Sequence, residues 1–156
     1  MATVVRNSVK IKNYSDVFEE FTASEAITPG MLVELTSDGK VKKHASESGN
    51  VLPMFALEDE LQGKGIDDAY AEDAQVQVWV PGRGDIVNAL LEDGQNIAIG
   101  DYLESAGAGY LQKYVADSTG IYYPAQIVGQ AIEAVDLSSS SGTHPVSGLR
   151  IKVRII

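Results

Sequence analysis

The chain has two histidines, and neither stands in a pattern that would make it a catalytic base. His44 follows a predicted strand, and His144 lies in a Gly-Thr-His-Pro turn. A hydrolytic site needs a nucleophile and a base within hydrogen-bond reach, and the spacing of these residues shows no such signature. We therefore predict that both histidines are exposed loop residues and that the chain is not an enzyme.

Carboxylates crowd the segment 58–73, where oxygen ligands could hold a metal ion. They are Glu58, Asp59, Glu60, Asp67, Asp68, Glu72 and Asp73. An EF-hand loop needs alternating ligands, a central glycine and a terminal glutamate, and this segment does not show that order. We predict a solvated acidic loop, with calcium binding as the alternative, and we predict no metal site and no cofactor.

Aromatic residues offer two candidate binding surfaces. Trp79, the only tryptophan, lies on the polar side of an alternating strand. It is either covered by the other half of the chain or the anchor of a protein interface. The second half of the chain holds five of the seven tyrosines, namely Tyr102, Tyr110, Tyr114, Tyr122 and Tyr123. Carbohydrate-binding modules gather aromatic residues in this way, so a carbohydrate-binding or host-adhesion β domain is an alternative function.

The predicted strands and turns that would position these residues occur twice in the sequence. Residues 27–43 have the pattern strand, Ser-Asp-Gly turn, strand, and residues 97–113 repeat it at an offset of 70. Three other segments repeat as well: 17–21 as 87–91 at the same offset, then 54–58 as 129–133 and 76–80 as 151–155 at an offset of 75. The glycines kept in both copies indicate turns that the backbone requires, rather than loops that cradle a ligand.

Short strands at regular spacing, separated by turn residues, predict an all-β fold. We predict an internally duplicated β-barrel or sandwich with two units, 17–80 and 86–156, that share one core. Asp101 and Glu104, beside Tyr102, could form an acid/base pair, but they lie in a repeated hairpin that the fold already explains. Residues 1–16 have no counterpart in the repeat, and we predict that they form an extended N-terminal arm.

Composition excludes several classes of function. The chain of 156 residues carries a net charge of −10, which argues against general nucleic-acid binding because phosphate contacts need a basic face. No apolar run approaches the ~20 residues that span a bilayer, so we predict no membrane association. The first residues lack the layout of a secretory signal. Without cysteine the chain has no disulfide and no thiolate chemistry.

The repeated segments also carry a resemblance. Residues 87–105 and 27–34 resemble head proteins of tailed bacteriophages. Together with residues 55–58 and 76–80, they look like a capsid decoration (cement) protein of the β-tulip type. The resemblance covers roughly residues 17–156 and consists of strand-and-turn patterns, without a catalytic signature.

The resemblance implies a structural role on a virion. Family members sit as trimers on the exterior of an expanded capsid and brace neighbouring major capsid proteins. We accordingly expect a homotrimer, made in the host cytoplasm, that stabilises the capsid by binding the major capsid protein. The arm would add a strand to an exposed sheet edge of the capsid, and its expected contacts are Val4, Val5, Arg6, Val9 and Lys10.

Overall fold

The computed structural model describes residues 7–14, 17–139 and 150–156. Over these residues the chain is all-β, as predicted, with two short 3-10 helices at Glu60–Gln62 and Pro124–Gln126. No helix in the described part is long and apolar enough to cross a membrane. The strands in chain order are β1 Lys10–Lys12, β2 Phe18–Thr22, β3 Val33–Leu35, β4 Val41–Lys43, β5 Phe55–Ala56, β6 Gln75–Trp79, β7 Ile86–Leu90, β8 Asn96–Ile97, β9 Tyr102–Gly107, β10 Tyr110–Lys113, β11 Ile127–Ala131, β12 Val135–Asp136 and β13 Arg150–Ile155.

The strand pairing follows the same order in both halves of the chain. The second half forms the sheet β7-β13-β11-β9-β10, extended at the β7 edge by β1. The first half pairs β2-β6-β5 and β3-β4, and a bridge between Leu32 and Phe55 joins these two pieces. Each half has five main strands, which are β2 to β6 in the first half and β7, β9, β10, β11 and β13 in the second. In each half the first main strand pairs with the fifth, the fifth pairs with the fourth, and the second pairs with the third. The small pair β8-β12 belongs to the second half alone.

The pairing corrects one part of the predicted alignment. Phe18 lies opposite Trp79, and Ile86 lies opposite Arg154. Since Trp79 and Arg154 are equivalent, Phe18 matches Ile86, an offset of 68 and not 70. Since the offset is 68 at this strand and 70 at residues 27 and 97, the second half has two more residues than the first between β7 and residue 97. The error is an even number of residues, so each side chain keeps its face of the sheet.

The repeated glycines are confirmed as backbone positions. Gly30 and Gly100 have φ angles of 90° and 94°, and Gly39 and Gly109 have φ angles of 77° and 82°. A side chain in this region clashes with its own backbone, which glycine avoids. The N–H of Gly30 donates to the carbonyl of Ala56 at 2.8 Å, and Gly100 makes the equivalent bond at 2.9 Å. The same turn is thus built twice.

Both halves contribute to one hydrophobic core, as predicted. Its largest fully buried side chains come from both units: Trp79, Phe55, Ile27, Leu32, Leu90, Leu91, Ile97, Leu103, Leu111 and Ile151. One small unit has too little apolar surface to cover both of its faces, and packing two units together solves that problem.

The described part of the N-terminal arm lies against this body. Strand β1 pairs antiparallel with β7, and the carbonyl of Val9 accepts a bond from the N–H of Asn88 at 2.8 Å. The Val9 side chain is fully buried in the core. At the other end of the segment, the N–H of Tyr14 donates to the Asp85 carboxylate at 2.6 Å. Residues 7–14 are extended and are held by the fold.

Candidate interaction surfaces

The prediction that His44 is an exposed loop residue is wrong. Its ring is buried, with Nδ1 2.7 Å from the hydroxyl of Ser105 and Nε2 3.2 Å from the carbonyl of Asn50. The Glu34 carboxylate lies 3.5 Å from Nε2. A hydroxyl, an imidazole and a carboxylate therefore meet in the order that nucleophilic catalysis uses. His144, the other histidine, lies outside the described residues.

The burial of the Ser105 hydroxyl argues against a catalytic role for Ser105, His44 and Glu34. Ser105 is completely buried, and its hydroxyl also accepts a bond from the N–H of Gly107 at 3.1 Å. A substrate carbonyl has no route to an oxygen that is closed off on all sides. The contact instead joins the end of β4 to β9 and so ties the two units together. Glu34 and His44 belong to the same hairpin, but Ser105 lies 61 residues from His44, so no local spacing could have predicted the meeting of the imidazole with the hydroxyl.

The acidic segment 58–73 is only partly the solvated loop that was predicted. Glu58 and Asp59 are buried. The Glu58 carboxylate accepts bonds from the hydroxyl of Ser8 at 2.8 Å and from the N–H of Val9 at 3.2 Å, which fixes the arm to the body. In the described residues, no three histidine or carboxylate side chains lie close enough together to hold a metal ion.

Arg150 connects the same acidic segment to the second unit. Its Nη2 donates to the carbonyl of Ile66 at 2.8 Å and lies 3.6 Å from the Asp67 carboxylate. Its Nε and Nη1 are buried without a hydrogen-bond partner among the described residues. Burial lowers the pKa of Arg150, and the nearby charge of Asp67 opposes that shift. Nη1 occupies the space that a Cβ on Gly30 would take, at 2.2 Å.

The loop 115–123 lies where the offset of the repeat rises from 70 to 75, and it presents apolar side chains on a backbone that hydrogen bonds hold in place. The Asp117 carboxylate accepts bonds from the N–H groups of Thr119 and Ile121 and from the hydroxyl of Tyr123. These bonds, with that from the Thr119 hydroxyl, lower the pKa of Asp117 to about 2. The exposed apolar and aromatic side chains of the loop are Val115, Ile121, Tyr122 and Tyr123. A pre-organised apolar surface loses little conformational entropy when a partner binds.

Trp79 is not an exposed interface anchor. Its side chain is fully buried within the folded chain. Phe18 and Gln77 lie on the same face of their sheet and line a cleft of about 290 Å³ with Ser8 and Lys10. The ammonium group of Lys10 lies over the Phe18 ring at 4.2 Å. This face is thus occupied by the arm.

The predicted capsid contacts fall in two groups. Val4, Val5 and Arg6 lie outside the described residues. Val9 belongs to the core and Lys10 to β1, so both serve the chain's own fold. Val9 cannot contact a capsid while it is buried.

The two units meet through different faces, which we name by their residues. The leading face of the first unit consists of Gly30, Met31, Leu32 and His44. The trailing face of the second unit consists of Leu90, Ser105, Gly109 and Arg150. Backbone bonds join them at three points: Leu90 N–H to Gly30 O at 3.1 Å, Leu32 N–H to Gly109 O at 2.9 Å, and Gly109 N–H to His44 O at 3.2 Å. All eight residues are buried.

Comparison with known proteins supports the fold. Neither a family model nor a curated protein matches this sequence. A solved structure with a similar fold is the head fiber gp8.5 N base in bacteriophage phi29. The similarity covers 91% of this chain and 95% of that chain, with a TM-score of 0.53 and 15% identical residues. Nearly the whole chain, including the strands of both units, therefore takes part in a fold that a phage head fiber protein also has.

Proposed function

We propose that the chain is a non-enzymatic structural protein of a phage virion that binds the outer surface of the capsid. The observation that carries this proposal is the likeness of almost the entire fold to the base of a phage head fiber. In this role the protein stabilises the capsid by bridging major capsid proteins, as a homotrimer made in the host cytoplasm. A sealed His44–Ser105 pair fits a protein without catalytic activity.

The arm supplies the capsid contact in this proposal. Residues Val4, Val5 and Arg6 add a strand to an open sheet edge of the capsid, where main-chain bonds give affinity and side chains give specificity. Val9 and Lys10 hold the base of the arm on β7. Arg6 meets acidic capsid surface, while the body, residues 17–156 with 21 acidic and 9 basic side chains, faces solvent.

Co-sedimentation with empty capsids of the cognate phage tests the proposal. The full chain should pellet with capsids, and deletion of residues 2–6 should abolish the binding. That deletion spares Val9 and β1, so the unfolding midpoint should stay unchanged. Leu61→Asp, on the exposed 3-10 helix, is the matched control and should bind normally. A full chain that never pellets with capsids contradicts the function, whereas full binding by the deletion variant contradicts only the role of the arm.

The exposed tyrosines favour one other function, a carbohydrate-binding or host-adhesion domain on the virion. Tyr122 is 58% exposed and stacks against Tyr114, with ring centroids 5.7 Å apart. An exposed ring on a fixed loop is a suitable platform for a sugar. Binding of the purified chain to a glycan array, lost in Tyr122→Ala and kept in Leu61→Asp, would support this alternative.

A further inference from the structure

The repeat gives each unit a leading face and a trailing face, but the intramolecular contact uses only one of each. The second unit has its own leading face at Gly100, Asp101, Tyr102 and Tyr114, the equivalents of Gly30, Met31, Leu32 and His44. The first unit has its own trailing face at Thr22, Leu35, Gly39 and Gln75, the equivalents of Leu90, Ser105, Gly109 and Arg150. These equivalences follow from the matching strand registers.

Both remaining faces are exposed in part, and of their eight residues only Tyr114 is buried. On the trailing face of the first unit, Leu35 is 51% exposed, and Gly39 has nothing within 4 Å of its Cβ position. At its equivalent, Gly109, a Cβ would lie 3.0 Å from the side chain of Met31. On the leading face of the second unit, Gly100 and Tyr102 are exposed, and the neighbouring Ile99 is 70% exposed.

Backbone hydrogen bonding shows the same asymmetry. Leu90 N–H points away from β13 and donates to Gly30. The equivalent group in the first unit is Thr22 N–H, which points away from β6 because Val17 and Ala23 make the bonds to that side. Thr22 N–H has no backbone partner among the described residues. The outer edge of β2 therefore offers the donor that β7 uses to bind the other unit.

The carbonyl that would accept this donor is also present on the open leading face. The Gly100 carbonyl, equivalent to that of Gly30, accepts only the side-chain amide of Gln130, at 3.1 Å, in the described structure. A carbonyl has two lone pairs and can accept a second bond. Tyr114 differs from His44 in being covered by the loop 115–123, whose Tyr123 N–H donates to its hydroxyl at 2.7 Å. The loop adds Val115 and Tyr122 beside the face.

We infer that the open leading face of one copy of this chain docks on the open trailing face of a second copy and repeats the contact between the two units. In this interface the Tyr102 N–H of one copy donates to the Gly39 carbonyl of the other, as Leu32 does to Gly109 within the chain. The Thr22 N–H of the second copy donates in turn to the Gly100 carbonyl of the first, as Leu90 does to Gly30. The partner is a second copy because this chain already contains the complementary surface for each face. The faces are unlike, so the contact is head-to-tail, and copies joined in this way close into a ring when the rotation allows it.

Solution mass measurements on single-face variants test the inference. Leu35→Asp places a charge on the trailing face, and Ile99→Asp places one beside the leading face. Both side chains are exposed, so the far-UV circular dichroism spectrum of each variant should remain that of the natural fold. In analytical ultracentrifugation the unmodified chain should sediment as an oligomer, and each variant should sediment as a single chain. The matched control, Leu61→Asp, changes an 87% exposed leucine outside both faces and should leave the oligomer intact.

Mixing the two variants tests the head-to-tail geometry. Leu35→Asp keeps an intact leading face and Ile99→Asp keeps an intact trailing face, so a mixture can form one good junction and should sediment as a dimer of unlike variants. A contact between identical faces would give no such rescue. A monomeric unmodified chain, an oligomer that both variants leave intact, or a mixture that stays monomeric would each overturn the inference.

The inference concerns self-association and does not rest on capsid binding. An oligomer that obeys the mixing test but never pellets with capsids would leave this interface standing and remove the proposed function. A monomer that still binds capsids through residues 1–6 would remove this interface and the proposed homotrimer but would leave capsid binding standing.

Discussion

Gly30 and Gly100 are equivalent positions of the repeat, but only Gly30 lies against the buried Arg150. The variants Gly30→Ala and Gly100→Ala test whether this neighbour makes the loss in free energy of unfolding larger at Gly30. Both glycines have nearly the same positive φ, so alanine costs each about 1–2 kcal/mol of backbone strain. At Gly100 the nearest atom to a new Cβ is the Gln130 amide nitrogen at 4.0 Å, which leaves room. At Gly30 the new Cβ would lie 2.2 Å from Nη1 of Arg150 and 3.1 Å from the carbonyl of Asn88.

The guanidinium must move to admit that methyl group, and it then loses its bond to the Ile66 carbonyl. A hydrogen bond to a charged group contributes about 1.5–3 kcal/mol, so with the strain Gly30→Ala should lower the free energy of unfolding by about 2.5–5 kcal/mol in total. Gly100→Ala should lower it by about 1–2 kcal/mol. Urea unfolding of dilute protein measures both, with unchanged m values showing that the unfolded state is the same.

A double-mutant cycle identifies the cause of the difference. In an Arg150→Ala background, Gly30→Ala should cost only the strain that Gly100→Ala costs, because the side chain that it displaces is gone. Equal losses for the two glycine variants in the natural background would refute the reasoning. An excess cost that persists without Arg150 would assign the effect to the Asn88 carbonyl instead.

Three further predictions follow from burial and charge. Val9→Ala should lower the free energy of unfolding by about 2 kcal/mol in a urea titration, since Val9 is a fully buried core residue; no change would show that the arm is not part of the folded body. Trp79→Ala should cost about 3–5 kcal/mol, and the native Trp79 should resist quenching by acrylamide; ready quenching would contradict its burial. An NMR titration should place the midpoint of the Asp117 carboxyl at a pKa of about 2, below its ordinary 3.8. The folded pKa is the lower one, so the stabilisation is complete above pH 3.8 and is lost as the pH falls through 2, and a midpoint near 3.8 would mean that the carboxylate does not fix the loop.

The repeated hairpin was predictable because its signals are local. The sequence spacing of Gly30, Gly39, Gly100 and Gly109 specifies the turns, and apolar alternation specifies the strands between them, so both copies could be placed from the residues alone. The first strand was misaligned by two residues because alternation repeats every second residue and cannot distinguish shifts of two. Only the pairing of Phe18 with Trp79 in the structure established the correct alignment of this strand.

The candidate surfaces were predicted less well, because exposure is a property of the packed chain. His44 and Trp79 are buried, and Val9 is a core residue, although each lies in a segment whose local pattern indicated exposure or left it open. In each case the covering atoms come from residues far away in sequence, which no local pattern records.

The sequence by itself determined that this is an all-β chain, duplicated within itself, with turns at the repeated glycines and without a local catalytic or metal-binding motif. These features depend on backbone conformation and alternation, which neighbouring residues control. The tertiary structure alone decided that the units pack leading face to trailing face, that Arg150 is buried beneath Gly30, and that one face of each unit stays open. Those outcomes depend on which surfaces meet when the two units share a core, and equivalent residues such as Ser105 and Leu35 then take opposite environments.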